Sequence, residues 1–189
     1  MEEYPIRVIC LSGKRKSGKD FIADVLANSI GKSKCVVIHL SGPIKQHWAD
    51  QKELDMKELL SDGVYKEAYR LEMIKWSENQ RAKDPGYFCD AAINMYEALK
   101  FPIWIVADAR RLTDLVYFRS KYSSRLATVR ITAADDVRCN RGFSFTSGID
   151  DAESECGLDE ISDWDFVIEN NGGMNIMYDI LQSIVNICQ

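Results

Sequence analysis

Histidine and proline are scarce in this 189-residue chain, with two histidines (His39 and His47) and four prolines. Neither histidine stands beside a cysteine pair at zinc-like spacing, so a zinc site has no support. The six cysteines (Cys10, Cys35, Cys89, Cys139, Cys156 and Cys188) are scattered and never form a CxxC pair. They read as reduced thiols of a cytosolic protein, Cys10 and Cys35 serving as small hydrophobes inside apolar runs. No stretch of about 18 apolar residues occurs, and no membrane-spanning helix is expected. The opening "MEEYPIRVIC" lacks the basic segment and long apolar core of a secretory signal, and the closing "NICQ" is no peroxisomal address. Positive charge is in deficit as well: 24 Lys and Arg against 29 Asp and Glu leave a net charge of −5. That sign argues against a general nucleic-acid binder and makes any local basic cluster more informative.

What is present fits one soluble domain, 46% hydrophobic and 28% charged. Five short β-rich apolar runs recur: "IRVICLS", "CVVIHLS", "FPIWIVAD", "RLATVRITA" and "DFVIEN". Continuous apolar runs indicate strands buried on both faces, as in a parallel sheet covered by helices. Pieces such as "KDFIADVLANSI" between them repeat apolar residues at helical spacing. The alternation predicts an α/β doubly wound fold. About sixty residues rich in helix formers separate the second run from the third. No Pro/Gly/Ser-rich linker bounds them, so they read as a helical insert. "GFSFTSGIDDAESECGLDE" has no clear apolar period and reads as a mobile loop or lid.

The chemistry begins at "LSGKRKSGKDF". Gly13, Gly18 and Lys19 satisfy the GxxxxGK part of a phosphate-binding loop, after a predicted strand and before a predicted helix. Glycines let the backbone curl with its amides turned toward a phosphate, and the helix adds its N-terminal dipole. Lys19 would reach the β- and γ-phosphates. Asp20 stands where such loops place Ser or Thr. Direct magnesium ligation, a metal-bound water and helix capping are all open to its carboxylate. Lys14, Arg15 and Lys16 make the loop more basic than phosphate cradling demands. Asp108 ends an apolar strand, where a carboxylate would meet a magnesium shell, and Arg110 and Arg111 follow at the strand's carboxyl end. Arg138 and Arg141 lie three apart, on one face if helical. So much positive charge in an acidic chain suits phosphoryl transfer to an acceptor that is itself a phosphate. Such an acceptor is already ionised, its second pKa being about 6, and catalysis reduces to positioning and charge neutralisation.

With "SGKRKSGKDF", "LSGPIKQHWA", "YKEAYRLEMIKW", "DPGYFC", "PIWIVADARRLTD", "RGFSFTSGIDDAESECGLD" and "DFVIENN", the chain resembles the animal-type phosphomevalonate kinase family nearly end to end. In that family an Asp after the loop lysine is usual. The resemblance implies a P-loop, NMP-kinase-like three-layer sandwich with a five-stranded parallel sheet. It implies a single kinase domain over residues 1–189, with core at about 5–41, 101–133 and 165–189, acceptor-binding insert at about 42–100 and lid at about 136–160. The implied reaction moves the ATP γ-phosphoryl to (R)-5-phosphomevalonate, on the mevalonate route to isoprenoids, sterols and cholesterol. ATP and Mg²⁺ are the implied cofactors, and a cytosolic monomer is the default.

By the same resemblance, Lys19, Arg15, Lys16, Arg110 and Asp108 are expected to be catalytic. Gly13, Lys14, Arg15, Lys16, Ser17, Gly18, Lys19, Asp20, Arg138, Arg141 and Asn171 are expected to bind ATP. Ser41, Lys45, Lys66, Arg70, Arg81, Arg110, Arg111 and Asn170 are expected to bind the acceptor, and Asp20 and Asp108 to serve magnesium. The acidic run at 150–155 is expected to meet the lid arginines. Asp90 departs from the family, where a basic residue is common, which puts local acceptor contacts there in question. Two other readings stand beside this one: a nucleoside monophosphate kinase on the same architecture, and a P-loop switch that binds nucleotide without turnover. Acceptor screening separates them.

Overall fold

The computed structural model describes residues 5–56, 59 and 64–189, without the side chains of residues 64–67 and 174–176. Five strands are resolved: β1 (Arg7–Ser12), β2 (Cys35–Ile38), β3 (Ile103–Val106), β4 (Leu126–Thr132) and β5 (Phe166–Glu169). Each lies within one of the apolar runs. They form one parallel sheet in the order β2-β3-β1-β4-β5. The central strand β1 is buried along nearly its whole length, which is why its sequence runs apolar without alternating.

Alternate residues of the inner strands feed two separate cores. Ile9, Leu11, Ile105, Val129, Ile131 and Ile168 face α1 (Lys19–Ile30), with Ile22 and Leu26 packed among them. Leu181 and Ile184 of the last helix, at Met174–Asn186, close the same layer. Val8, Cys10, Trp104 and Val106 point the other way, toward Cys89, Leu115 and Phe118. Fully burying a side chain of this size stabilises by about 1.5–3 kcal/mol. Trp104 is completely buried, and its indole N–H donates to the carbonyls of Ala98 (2.8 Å) and Phe101 (3.1 Å).

Between β2 and β3 come α2 (Gly42–Lys52), α3 (Val64–Lys83) and α4 (Tyr87–Met95), as the helix-rich sequence there predicts. After β3, α5 (Leu112–Tyr122) leads to β4. Two short helices, α6 (Asp135–Asn140) and α7 (Glu153–Cys156), lie between β4 and β5, and the last helix is α8. The β2 strand stops at Ile38, three residues before its apolar run ends, for a definite reason. The Leu40 and Ser41 amides donate to the Asp108 carboxylate (2.5 and 3.1 Å) instead of to a neighbouring strand. All strands run parallel, so their carboxyl ends, and the loops that follow them, share one edge of the sheet.

Candidate active site

The loop between β1 and α1 is built by close approach on both sides. A Cβ on Gly13 would fall inside contact distance of the Ile131 carbonyl, and one on Gly18 would strike the Asn170 side chain. Gly18 also sits at φ 94°, and Lys16 takes the left-handed conformation at φ 62°. Lys19 is buried, its Nζ 2.5 Å from the Gly13 carbonyl and 3.0 Å from that of Lys14. Burial, and then the charge of Arg110, push its pKa well below the ordinary 10.5, against the pull of Asp20 and Asp108. The Ser17 hydroxyl is buried with no hydrogen-bond partner among the described residues. A pocket of about 190 Å³ opens beside the loop, lined by Lys14, Ser17, Arg130, Thr132, Asp135 and Arg138.

Opposite the lysine stands Asp108, in the turn directly after β3. Burial opposes its ionisation, but His39, Arg110, the Ser41 hydroxyl and Lys45 together outweigh burial and hold the carboxyl below its ordinary value. Arg110 in turn feels Asp108, Arg70, Arg111 and Asp20. The structure thus gathers Lys19, Asp20, Ser41, Lys45, Arg70, Asp108 and Arg110 around one mouth. Lys66 lies on α3, but its side chain falls outside what the structure describes.

Several sequence expectations are relocated. Arg81 does not open onto the mouth: it is buried, pairs with Asp114 at 2.5 Å and lies over the Phe88 ring. Arg111 is buried too and pairs with Glu78. Asn170, expected with the acceptor, packs against the GxxxxGK loop. It follows the edge strand β5, where its Nδ2 donates to the Ser17 carbonyl (2.9 Å) and its own carbonyl accepts from Arg141 (2.8 Å). Asn171 accepts the Ala134 amide (2.7 Å), bracing the start of α6. Asp90 sits at the surface with Tyr117 and Lys121 as partners, which compensates its charge away from the mouth.

The acidic run also meets different arginines from those expected. Arg138 and Arg141 do reach the loop, donating to the carbonyls of Arg15 (2.9 Å), Lys16 (3.3 Å) and Ser17 (3.2 Å). Asp150, however, holds the Arg15 guanidinium through both oxygens (3.0 and 2.9 Å). Glu155 accepts the Arg15 amide (2.9 Å) and pairs with Arg110. Asp159 completes the row against Lys14 (2.7 Å) and Arg130 (2.8 Å). The surplus basic charge of the loop therefore has a structural partner: a row of carboxylates from the β4–β5 connection.

Sequence reasoning passed over His39, Glu78, Asp114, Arg130 and Asp159. Two of them carried a signal. His39 is one of only two histidines, at a strand's carboxyl end, and Arg130 is a lone charge inside the apolar run "LATVRIT". The others act through partners far away in sequence, which no local pattern shows.

A parallel five-stranded sheet, a GxxxxGK loop opening a helix and a ring of arginines define a P-loop kinase. The fold is shared with solved structures of low identity. They include a gluconokinase from Sinorhizobium meliloti (TM-score 0.54, 12% identity, 99% of this chain and 95% of that one). A Thermus thermophilus protein is also similar (TM-score 0.52, 19% identity, 95% and 96%). The family model for phosphomevalonate kinase matches residues 11–124. A Drosophila melanogaster phosphomevalonate kinase is 45% identical over 171 residues, 88% of this chain and 89% of its own. The chain belongs to the phosphomevalonate kinase family.

Proposed function

We propose that this chain transfers the γ-phosphoryl of ATP to (R)-5-phosphomevalonate, releasing ADP and 5-diphosphomevalonate. The observation that carries the reading is the meeting of a buried loop lysine, Lys19, with Arg110 across from Asp108, within a family of that activity. An acceptor phosphate ionised near neutral pH needs no general base. What the reaction needs is relief of repulsion between two polyanions, and the gathered cations supply it.

Lys19 would move from the loop carbonyls onto the transferring phosphate. Arg15 and Lys16 would flank it, with Arg110 between donor and acceptor. Gly13 to Asp20, Arg138 and Arg141 form the ATP side of this reading. Ser41, Lys45, Lys66, Arg70 and Arg111 form the acceptor side. Asn170 and Asn171 brace the ATP side, and Arg81 the acceptor side. We take residues 42–100 as the acceptor-binding insert and 136–160 as the lid of one kinase domain.

The residues present suit magnesium. Ser17 carries an orphaned buried hydroxyl, Asp20 is an exposed carboxylate at the start of α1, and hard oxygen donors are what this ion takes. Asp108 has both oxygens engaged by amides, which fits a contact through water. Bound there, the ion would neutralise phosphate charge.

The place we assign the enzyme is the mevalonate route to isoprenoids and sterols. A cytosolic monomer acting on small molecules, rather than on nucleic acid or membrane, fits the acidic net charge. Free cysteines agree with a reducing compartment. Among the described residues no helix is long and apolar enough to cross a membrane.

A coupled ADP-release assay with Mg-ATP tests the reading, offering (R)-5-phosphomevalonate beside AMP, CMP, UMP and dTMP. Turnover confined to phosphomevalonate is expected. Turnover confined to a nucleotide would discard the acceptor and keep the fold, and ATP binding without turnover would favour a nucleotide switch.

A further inference from the structure

Asp114 lies one turn into α5 and is completely buried. One carboxylate oxygen accepts the backbone N–H of Arg110 (3.0 Å) and of Arg111 (3.1 Å). An aspartate that only capped its own helix would end there. Here the second oxygen reaches across to α3 and takes the Arg81 guanidinium at 2.5 Å. The Arg111 guanidinium makes the return crossing to Glu78, also on α3. Glu78 and Arg81 are three apart, on one face of that helix. Arg70, further back on α3, is close enough to act electrostatically on Arg110. The turn that aims Arg110 and Arg111 is therefore fastened to a single face of α3 by two ion pairs, with Asp114 at the centre.

We propose that Asp114 is a positioning residue for the acceptor half of the reaction. It makes the aim of Arg110 depend on where α3 stands, and so links the insert to the phosphate mouth. This rests on the phosphomevalonate reading above. Asp114 has no part in the chemistry itself, because its oxygens are occupied by the turn and by Arg81. Its influence is geometric: a small displacement of a charge-neutralising group costs rate steeply. The ATP side is fastened differently, through Arg138, Arg141 and Asn170, so loss of Asp114 spares it.

The test is steady-state kinetics of Asp114→Ala, Asp114→Asn and Glu78→Gln against wild type, with circular dichroism and binding of a fluorescent ATP analogue as checks of folding. For Asp114→Ala we expect kcat/KM for phosphomevalonate to fall by about tenfold or more while KM for ATP stays within about twofold. Asp114→Asn keeps an oxygen for the turn amides and should recover part of the loss. Equal loss toward both substrates, with asparagine no better than alanine, would reduce Asp114 to a fold-holding residue and overturn the proposal, as would unchanged kinetics. If Asp114→Ala does not fold, Glu78→Gln decides, because that side chain is 37% exposed and dispensable to the core. A rise of about threefold in KM for phosphomevalonate alone supports the clamp, and no rise overturns it. A wild type without turnover of phosphomevalonate removes the functional reading and this inference with it. A working wild type with insensitive variants removes the inference only.

Discussion

Lys19 has to be charged when a phosphate arrives, yet it is buried among cations. Its pKa is driven down by burial first and Arg110 second, with Asp20 and Asp108 opposing. Between that lowered pKa and the ordinary 10.5, the folded chain therefore carries fewer protons at this site than the unfolded chain, and stability rises with pH through that window. Lys19→Met removes the contribution. The melting temperature of the wild type should thus climb relative to the variant as pH rises toward the ordinary 10.5, read by thermal scans without ligand. A gap that narrows or stays flat would mean that the loop carbonyls fully compensate the buried charge. The same variant should lower kcat by about 10²-fold or more, since its donor is lost where transition-state charge develops. Legibility divides sharply at this scale. Lys19, Gly13 and Gly18 stand out because a short motif fixes their spacing. Glu78 and Asp159 do not, because their partners lie far off in sequence, and Asp114 shows locally only its contacts at the helix start, not its pairing with Arg81 on α3.

At the scale of elements, the five strands could be read directly, since strands buried on both faces leave unbroken apolar runs. The connections were harder. The β4–β5 connection has no apolar period, because what orders it is charge: Asp150, Glu155 and Asp159 against Arg15, Arg110, Lys14 and Arg130. On the reading proposed above, its two limbs would make opposite contributions to nucleotide binding. The α6 limb sends Arg141 to the loop carbonyls and Asn170, so Arg141→Ala should raise KM for ATP by about fivefold or more and leave KM for phosphomevalonate nearly unchanged. The acidic limb instead places Glu155 on the Arg15 amide and on Arg110, groups a phosphate would use. Removing an anion that ATP must displace strengthens binding, so Glu155→Gln should lower the dissociation constant for ATP by about threefold. Titration calorimetry without acceptor measures it. Weaker binding instead would mean that Glu155 holds the loop open for its ligand.

Taken whole, the molecule gathers cations at one mouth of an acidic body, several of them held by carboxylates that an arriving phosphate would displace. The net charge is −5, yet Lys14, Arg15, Lys19, Arg110, Arg138 and Arg141 all lie around the loop at the carboxyl edge of the sheet. Both substrates are polyanions, and a mouth whose cations exchange their carboxylate partners for phosphates would draw them in against the acidic net charge. Such a field concentrates ligand where it binds and raises the association rate, an effect that salt screens. The Debye length is about 10 Å at 0.1 M ionic strength and 3 Å at 1 M, so approach to the mouth is screened long before buried contacts are. Raising potassium chloride from about 0.05 M to about 0.5 M, at fixed free magnesium, should therefore lower kcat/KM for phosphomevalonate by several-fold while kcat falls much less. The split matters more than the drop. kcat belongs to the bound complex, where Lys19 acts from a buried position, whereas kcat/KM includes the approach through solvent. A parallel fall in both would place the catalytic charges in water and contradict the buried position of Lys19, and an unchanged kcat/KM would show that the acidic body and basic mouth do not steer.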